Sequence, residues 1–240
     1  MDIKAFCVEH AIDMSKCGVS LIGGSFSLVE LVETEISPVE FLILAEEDFQ
    51  RGGQSALINA TTNIKRAIVS QMDRLLSSFG FKSSRLDVKE KIEKLRNLGL
   101  LVPSILRKAV KLRNTLEHEY KTPTMEQVED ALDIASLFIM SSSAMFTPFE
   151  DALQFSLRKA SVPHPIKYLT VGLNREANSV FYTVYVYGVD NSECLGRCTI
   201  QSGHLLFDQL VKLSASLMMK YKVDQACKDF DAVYATCKVL

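Results

Sequence analysis

The chain has 240 residues and a formal net charge of −2, from 27 Lys and Arg against 29 Asp and Glu. Hydrophobic residues make up 48% and charged residues 23%, a composition that excludes a disordered chain; at this length roughly 70% of the unfolded surface can be buried. The near-neutral balance excludes a histone-like grip on nucleic acid, so any polyanion site has to be a local patch.

Residues 1–36 give the weakest signals. Met1 to Lys16 is mildly helical, Cys17-Gly18 and Gly23-Gly24 interrupt it, and Leu28 to Glu33 fits strand or helix. From Ser37 the pattern sharpens. Ser37-Pro38-Val39-Glu40 is a capping box with proline at the first helical position, and it predicts a helix through Phe41, Leu42, Leu44, Ala45 and Phe49 that stops at Gly52-Gly53. A second helix is expected from about Ser55 to Ser78, with Leu57, Ile58, Ile64, Ala67, Ile68, Met72 and Leu75 on its apolar face and Gly80 ending it. Asp87 and Glu90 form another capping box, opening a third helix that fades at Asn97-Leu98-Gly99. Pro103 opens a fourth, in which Ile105, Ala109, Leu112 and Leu116 share a stripe; Pro123 forces its end near Tyr120. Thr122 or Thr124, with Gln127 at the third position, caps a fifth helix running to about Met145. Thr147-Pro148-Phe149-Glu150 repeats the device and predicts a sixth, ending before Val162-Pro163-His164-Pro165.

The doubled proline marks a domain boundary, because the hydrophobic period beyond it changes from helical to alternating. Tyr168 to Val171 and Val180 to Tyr187 are rich in aromatic and β-branched residues, as strands are, with Asn174 to Asn178 as the hairpin loop between them. Arg197 to Gln201 is a third strand and Leu205 to Met219 a helix; the stretch from Val223 is ambiguous. The expected fold is therefore mainly α: an N-terminal segment over 1–36, a helical bundle over 37–161, and a small C-terminal α+β appendage over 162–240.

The balanced total hides an asymmetry. Between Lys82 and Lys121 eleven basic residues face five acids, a local net of +6 that leaves −8 for the remainder. Such a window is either a solvated pair of helix faces laced with i,i+4 pairs such as Glu90–Lys94, or a surface for a polyanion. At its end lies Arg113-Asn114-Thr115-Leu116-Glu117-His118-Glu119-Tyr120. Cleaving RNA without a metal needs a base for the 2′-hydroxyl proton, an acid for the leaving oxygen and a cation for the phosphorane charge. Histidine titrates near neutrality and arginine clamps two phosphate oxygens at once. Lys108, Lys111 and Lys121 beside the motif are candidate RNA contacts. On a straight helix five positions rotate by about 140°, so Arg113 and His118 do not share a face. They converge either at a groove by the helix end or with their counterparts from a second subunit. The competing explanation is structural: Arg113–Glu117 and Asn114–His118 are i,i+4 pairs that make a surface ion pair and a surface hydrogen bond.

This stretch resembles the signature of the HEPN superfamily, small helical bundles many of whose members are metal-independent RNases. That signature is an Arg, a polar residue directly after it, and a His four to six residues beyond. Tyr120, two residues past His118, resembles the extended form found in HEPN toxins paired with a nucleotidyltransferase antitoxin. Upstream, Ala45-Glu46-Glu47-Asp48 on one helix, then Asn59-Ala60 and Lys65-Arg66-Ala67 on a long one, follow a similar order. The resemblance covers about residues 37–150. It implies a HEPN-like bundle and a metal-independent endoribonuclease in a toxin–antitoxin or phage-defence setting, with no cofactor. His118 would transfer protons, Arg113 stabilise the scissile phosphate and Asn114 orient one of them, in a composite site at a two-fold homodimer interface. It also implies that an antitoxin would add AMP to the Tyr120 hydroxyl, placing negative charge beside His118. The alternative is a non-catalytic HEPN-type module for nucleotide binding or protein interaction.

Other signals are weaker. The six cysteines are scattered with no Cys-x-x-Cys pair, no apolar run approaches the roughly 18 residues of a membrane span, and Met1-Asp2-Ile3-Lys4 does not open a signal peptide. A cytoplasmic protein with reduced thiols is expected, and no membrane partner. Cys7, His10 and Cys17 lack a fourth ligand at a zinc-finger spacing. The run Phe181, Tyr182, Tyr185, Tyr187 is assigned to the core, with base stacking as the alternative.

Overall fold

The computed structural model describes residues 2–22, 34–100, 106, 109–112, 121–144, 152–157, 166–176, 179–188 and 193–237. The chain begins with helix α1 (Ile3–Glu9), capped by the Asp2 carboxylate accepting from the Lys4 amide at 2.9 Å. A 3-10 turn (Met14–Lys16) then leads into strand β1 (Cys17–Leu21). Helix α2 (Pro38–Arg51) starts at the expected capping box: the Glu40 amide donates to Ser37 Oγ at 3.1 Å and the Ser37 amide to Glu40 Oε2 at 2.6 Å. Those hydrogen bonds hold the Glu40 carboxyl below its ordinary pKa. Helix α3 (Gln54–Ser78) buries Ile64, Ile68, Met72 and Leu75 at helical spacing. Helix α4 (Val88–Asn97) has the Asp87–Glu90 box, and α5 (Met125–Ala144) is capped by Thr124, whose Oγ1 accepts from the Gln127 amide at 3.2 Å.

The remainder overturns the mainly helical reading. Residues 152–157, placed in a sixth helix by the capping signal at Thr147, are strand β2 (Ala152–Leu157). With β1, β3 (Ile166–Glu176), β4 (Ser179–Gly188) and β5 (Cys194–Gln201) it forms, among the described residues, one antiparallel five-stranded sheet in the order β1-β2-β3-β4-β5. The protein is mixed α+β, not a helical bundle with an appendage. Two tertiary ladders override the local helix signal in β2: Phe155 lies opposite both Val19 and Leu169, and both Leu153 and Phe155 are buried. Strands from all three stretches into which the sequence divides thus share one sheet. The predicted hairpin loop also contracts: Asn174 to Glu176 belong to β3, and Glu176 pairs directly with Ser179. Helix α6 (Leu205–Met219) has the expected bounds, and the ambiguous C-terminal stretch is helix α7 (Val223–Thr236).

Helices α1, α6 and α7 cover one face of the sheet. Phe155 meets Phe230 of α7 at 5.4 Å between ring centroids, and Tyr182 of β4 meets Phe207 of α6 at 5.3 Å. The α2–α5 helices join this layer through α6. Phe81 sits edge-on to Phe207 at 5.9 Å, and Lys94 bonds Asp208 at 2.5 Å while its ammonium lies 4.1 Å from the Phe81 ring centroid. The Arg175 guanidinium donates to the Ser78 carbonyl, tying the end of α3 to the β3–β4 hairpin. Buried apolar residues of both halves form one continuous cluster.

Gly80 is a point of close approach at this junction. Its φ is +80°, and a Cβ there would lie 3.0 Å from Ser202 Oγ and 3.1 Å from Val180 Cβ. Gly80→Ala is expected to cost about 1–3 kcal/mol, read as a lower urea midpoint at unchanged slope.

Candidate functional site

The helical stretch leading to the Arg113–Tyr120 motif packs as an amphipathic element. Leu106, Ala109 and Val110 are buried, Leu112 is half-buried, and Lys111 is exposed. Ala109 and Leu112 belong to the expected apolar stripe; Ile105 and Leu116 of that stripe lie outside the described residues. So do Arg113, Asn114, His118 and Tyr120, together with Lys108. Of the candidate RNA contacts, Lys111 and Lys121 are described, and both are exposed.

The chain leaving the motif is anchored. Pro123 is buried, and Thr122 Oγ1 accepts from Gln54 Nε2 at 2.9 Å, fixing the motif's exit against the first turn of α3. Close in sequence to that turn, Asp48 of α2 is buried. It accepts from Arg51 Nη1 at 2.8 Å and from Asn63 Nδ2 of α3 at 3.2 Å. Asn63 Oδ1 in turn accepts from Arg66 at 3.3 Å, and the Arg66 guanidinium lies 6.0 Å from the Phe41 ring centroid. This polar ribbon couples α2 to α3. Its guanidiniums lie outside the basic window, so counting charge between Lys82 and Lys121 does not find them; Asp48 and Arg66 were marked only as parts of the Ala-Glu-Glu-Asp and Lys65-Arg66-Ala67 runs.

The basic window is less open than its net charge suggests. Lys91 is buried and bonds Asp73 of α3 at 2.7 Å. Lys94 pairs with Asp208 rather than with Glu90, because the Glu90 carboxylate accepts from the Asp87 amide at 2.7 Å. These two cations hold α4 against its neighbours, since a buried ammonium needs a partner.

A groove of 390 Å³ lies along α2 and α3 between Phe41, Lys65, Arg66 and Asp73; a cavity of 220 Å³ lies between β1 and α7, with the Cys17 and Cys227 side chains in its wall. Among the described residues no group of three or more His, Cys, Asp and Glu side chains is arranged to hold a metal ion. No described helix is long and apolar enough to cross a membrane.

All six cysteines are free thiols. Burial pushes Cys7 up to about 11 and Cys198 up to about 12, so both stay protonated near neutral pH. Iodoacetamide at pH 8 is expected to modify exposed Cys194 readily and to reach Cys7 and Cys198 only after denaturation, as mapped by peptide mass spectrometry.

The aromatic run of β4 divides by strand parity. Tyr182 is fully buried, as assigned, whereas Phe181, Tyr185 and Tyr187 occupy the opposite face and are half-buried. Period-two alternation in Val180 to Tyr187 carries this signal.

Searches of protein-family models, of curated proteins and of solved structures gave no significant match to this chain.

Proposed function

We propose that this chain is a metal-independent endoribonuclease of HEPN type, acting as a cytoplasmic homodimer in a toxin–antitoxin or phage-defence setting. The observation that carries the reading is the sequence Arg113-Asn114-x3-His118-x-Tyr120 inside a window of local net charge +6. Support also comes from the packing around it. The stretch before the motif buries one side in the core and exposes Lys111, and the residues after it are pinned to α3 through Thr122 and Gln54.

In this reading the 2′-oxygen of one nucleotide attacks the adjacent phosphorus and the 5′-oxygen of the next leaves. One His118 imidazole takes the 2′-hydroxyl proton and another gives a proton to the departing oxygen. The Arg113 guanidinium, charged at any working pH, binds the phosphoryl oxygens as charge grows on them. Asn114 orients His118 or the phosphate, and Lys108, Lys111 and Lys121 hold flanking phosphates. A nucleotidyltransferase-type antitoxin would silence the site by adding AMP to Tyr120.

The test is incubation of RNA with the protein in excess EDTA. Cleavage that survives the chelator and disappears in His118→Ala supports the enzyme. Intact RNA, with wild type and variant indistinguishable, supports a non-catalytic binding or assembly module. Light scattering of a monomer at working concentration would remove the composite dimer site.

A further inference from the structure

Among the described residues, helices α1, α6 and α7 pack on one face of the sheet, and the other face carries a group of aromatic rings. Strand pairing sets Tyr168 opposite Tyr187 and Thr170 opposite Tyr185, and the two rings of the Tyr168–Tyr187 pair lie 5.0 Å apart. With Phe181 these side chains are half-buried, leaving ring surface in contact with solvent. Gly172 occupies the outward row between Thr170 and Asn174, and its cross-strand neighbours Ala152 and Thr183 are buried, so the accessible ring surface lies toward the Tyr168–Tyr187 and Tyr185–Arg197 end of the face. The outward positions beside Tyr168, Tyr185, Tyr187 and Arg197 carry no carboxylate; Glu176, exposed, lies at the far end of the same row of β3. Arg197 is exposed and directly opposite Tyr185.

We propose that this end of the face binds single-stranded RNA, with Tyr185 and the Tyr168–Tyr187 pair as stacking platforms and Arg197 as a phosphate contact. Alternate residues of a strand are about 6.8 Å apart, a distance over which an unstacked strand can lay successive bases on successive rings. Duplex bases present no free π-face, so pairing excludes them. A group of aromatic rings with a guanidinium beside it and its one carboxylate at the far end of the strand complements a polyanion with flat bases better than it complements an ordinary protein surface. The choice of RNA over DNA rests on the ribonuclease reading; the binding itself does not need the Arg113–His118 site.

The experiment is fluorescence anisotropy with a labelled single-stranded dodecamer of uridine or adenosine, its duplex and the matching DNA, using full-length His118→Ala so that the probe survives. Tyr185→Ala and Tyr187→Ala are each expected to weaken single-strand binding by about 5- to 100-fold, and Tyr185→Phe to preserve it. Arg197→Gln, a surface change, is expected to lower the slope of log affinity against log salt by about one. Unchanged affinity across these variants, or duplex bound as tightly as single strand, overturns the proposal. So does RNA affinity that is undetectable while a second protein chain covers the face. The two readings fail separately. Wild-type cleavage in EDTA with Tyr185→Ala affinity unaltered removes the platform alone, whereas Tyr-dependent binding without any cleavage removes the nuclease alone.

Discussion

His118→Ala is expected to lower the rate of RNA cleavage by about 10²- to 10⁴-fold, the usual contribution of a positioned proton-transfer group, without changing the thermal midpoint. Arg113→Ala should cost about 10²- to 10³-fold, as loss of a donor to developing charge does. Arg113→Lys should recover little of it, because an ammonium cannot grip two phosphoryl oxygens as the planar fork can. The sign of the pH effect follows from the dimer. A base must be neutral and an acid protonated, and the same residue from each subunit fills one of these roles. The cleavage rate should therefore pass through a maximum and fall on both sides. A rate that climbs steadily from pH 5 to 9 would mean that His118 does not serve as the acid.

Phe207→Ala is expected to be among the most destabilising single substitutions, at about 3–5 kcal/mol. Phe207 is fully buried and touches Tyr182 of the sheet on one side and Phe81, which follows α3, on the other. Removing the ring opens a void where the two halves meet, and the neighbouring Lys94–Asp208 bond does not fill it. The loss should appear in one transition. Helical circular dichroism and tyrosine fluorescence, which reports largely on the sheet because the chain has no tryptophan, should unfold at the same urea concentration in wild type and variant. Two separated midpoints in wild type would show that the α2–α5 helices and the sheet are independent domains.

What the sequence disclosed about this fold was what is decided within a few residues. The boxes at Ser37–Glu40 and Asp87–Glu90 and the Thr124–Gln127 cap all appear where their side-chain spacing put them, because a cap needs only its own first turn. Leu205–Met219 is equally local. The failures are non-local. Whether residues 152–157 become strand depends on β1, more than 130 positions earlier, and the Leu153/Phe155 alternation was outweighed by a capping signal just upstream. Lys94 chose Asp208 over Glu90 for a similar reason: a distant helix supplied the acid once the near one was engaged in its cap. The aromatic composition of β4 was plain, but its division between core and outward face required knowing which side of the sheet α1, α6 and α7 pack against. For the site, the motif is a sequence-local signal. The Gln54–Thr122 contact at its exit and the Asp48–Asn63 bond between α2 and α3 join residues 68 and 15 positions apart and were out of reach.

The nuclease claim is tested most directly by the chemistry of the ends it leaves. An RNA oligonucleotide is incubated with wild type in EDTA beside a copy carrying one 2′-deoxy nucleotide at the cleaved position, and the products are weighed by mass spectrometry. Attack by the 2′-oxygen predicts a 2′,3′-cyclic phosphate and a 5′-hydroxyl from the first oligonucleotide and no cut at that position in the second. Cleavage of the deoxy-substituted strand at the same bond, or 5′-phosphate ends, would contradict the assignment of His118 and Arg113 to this reaction.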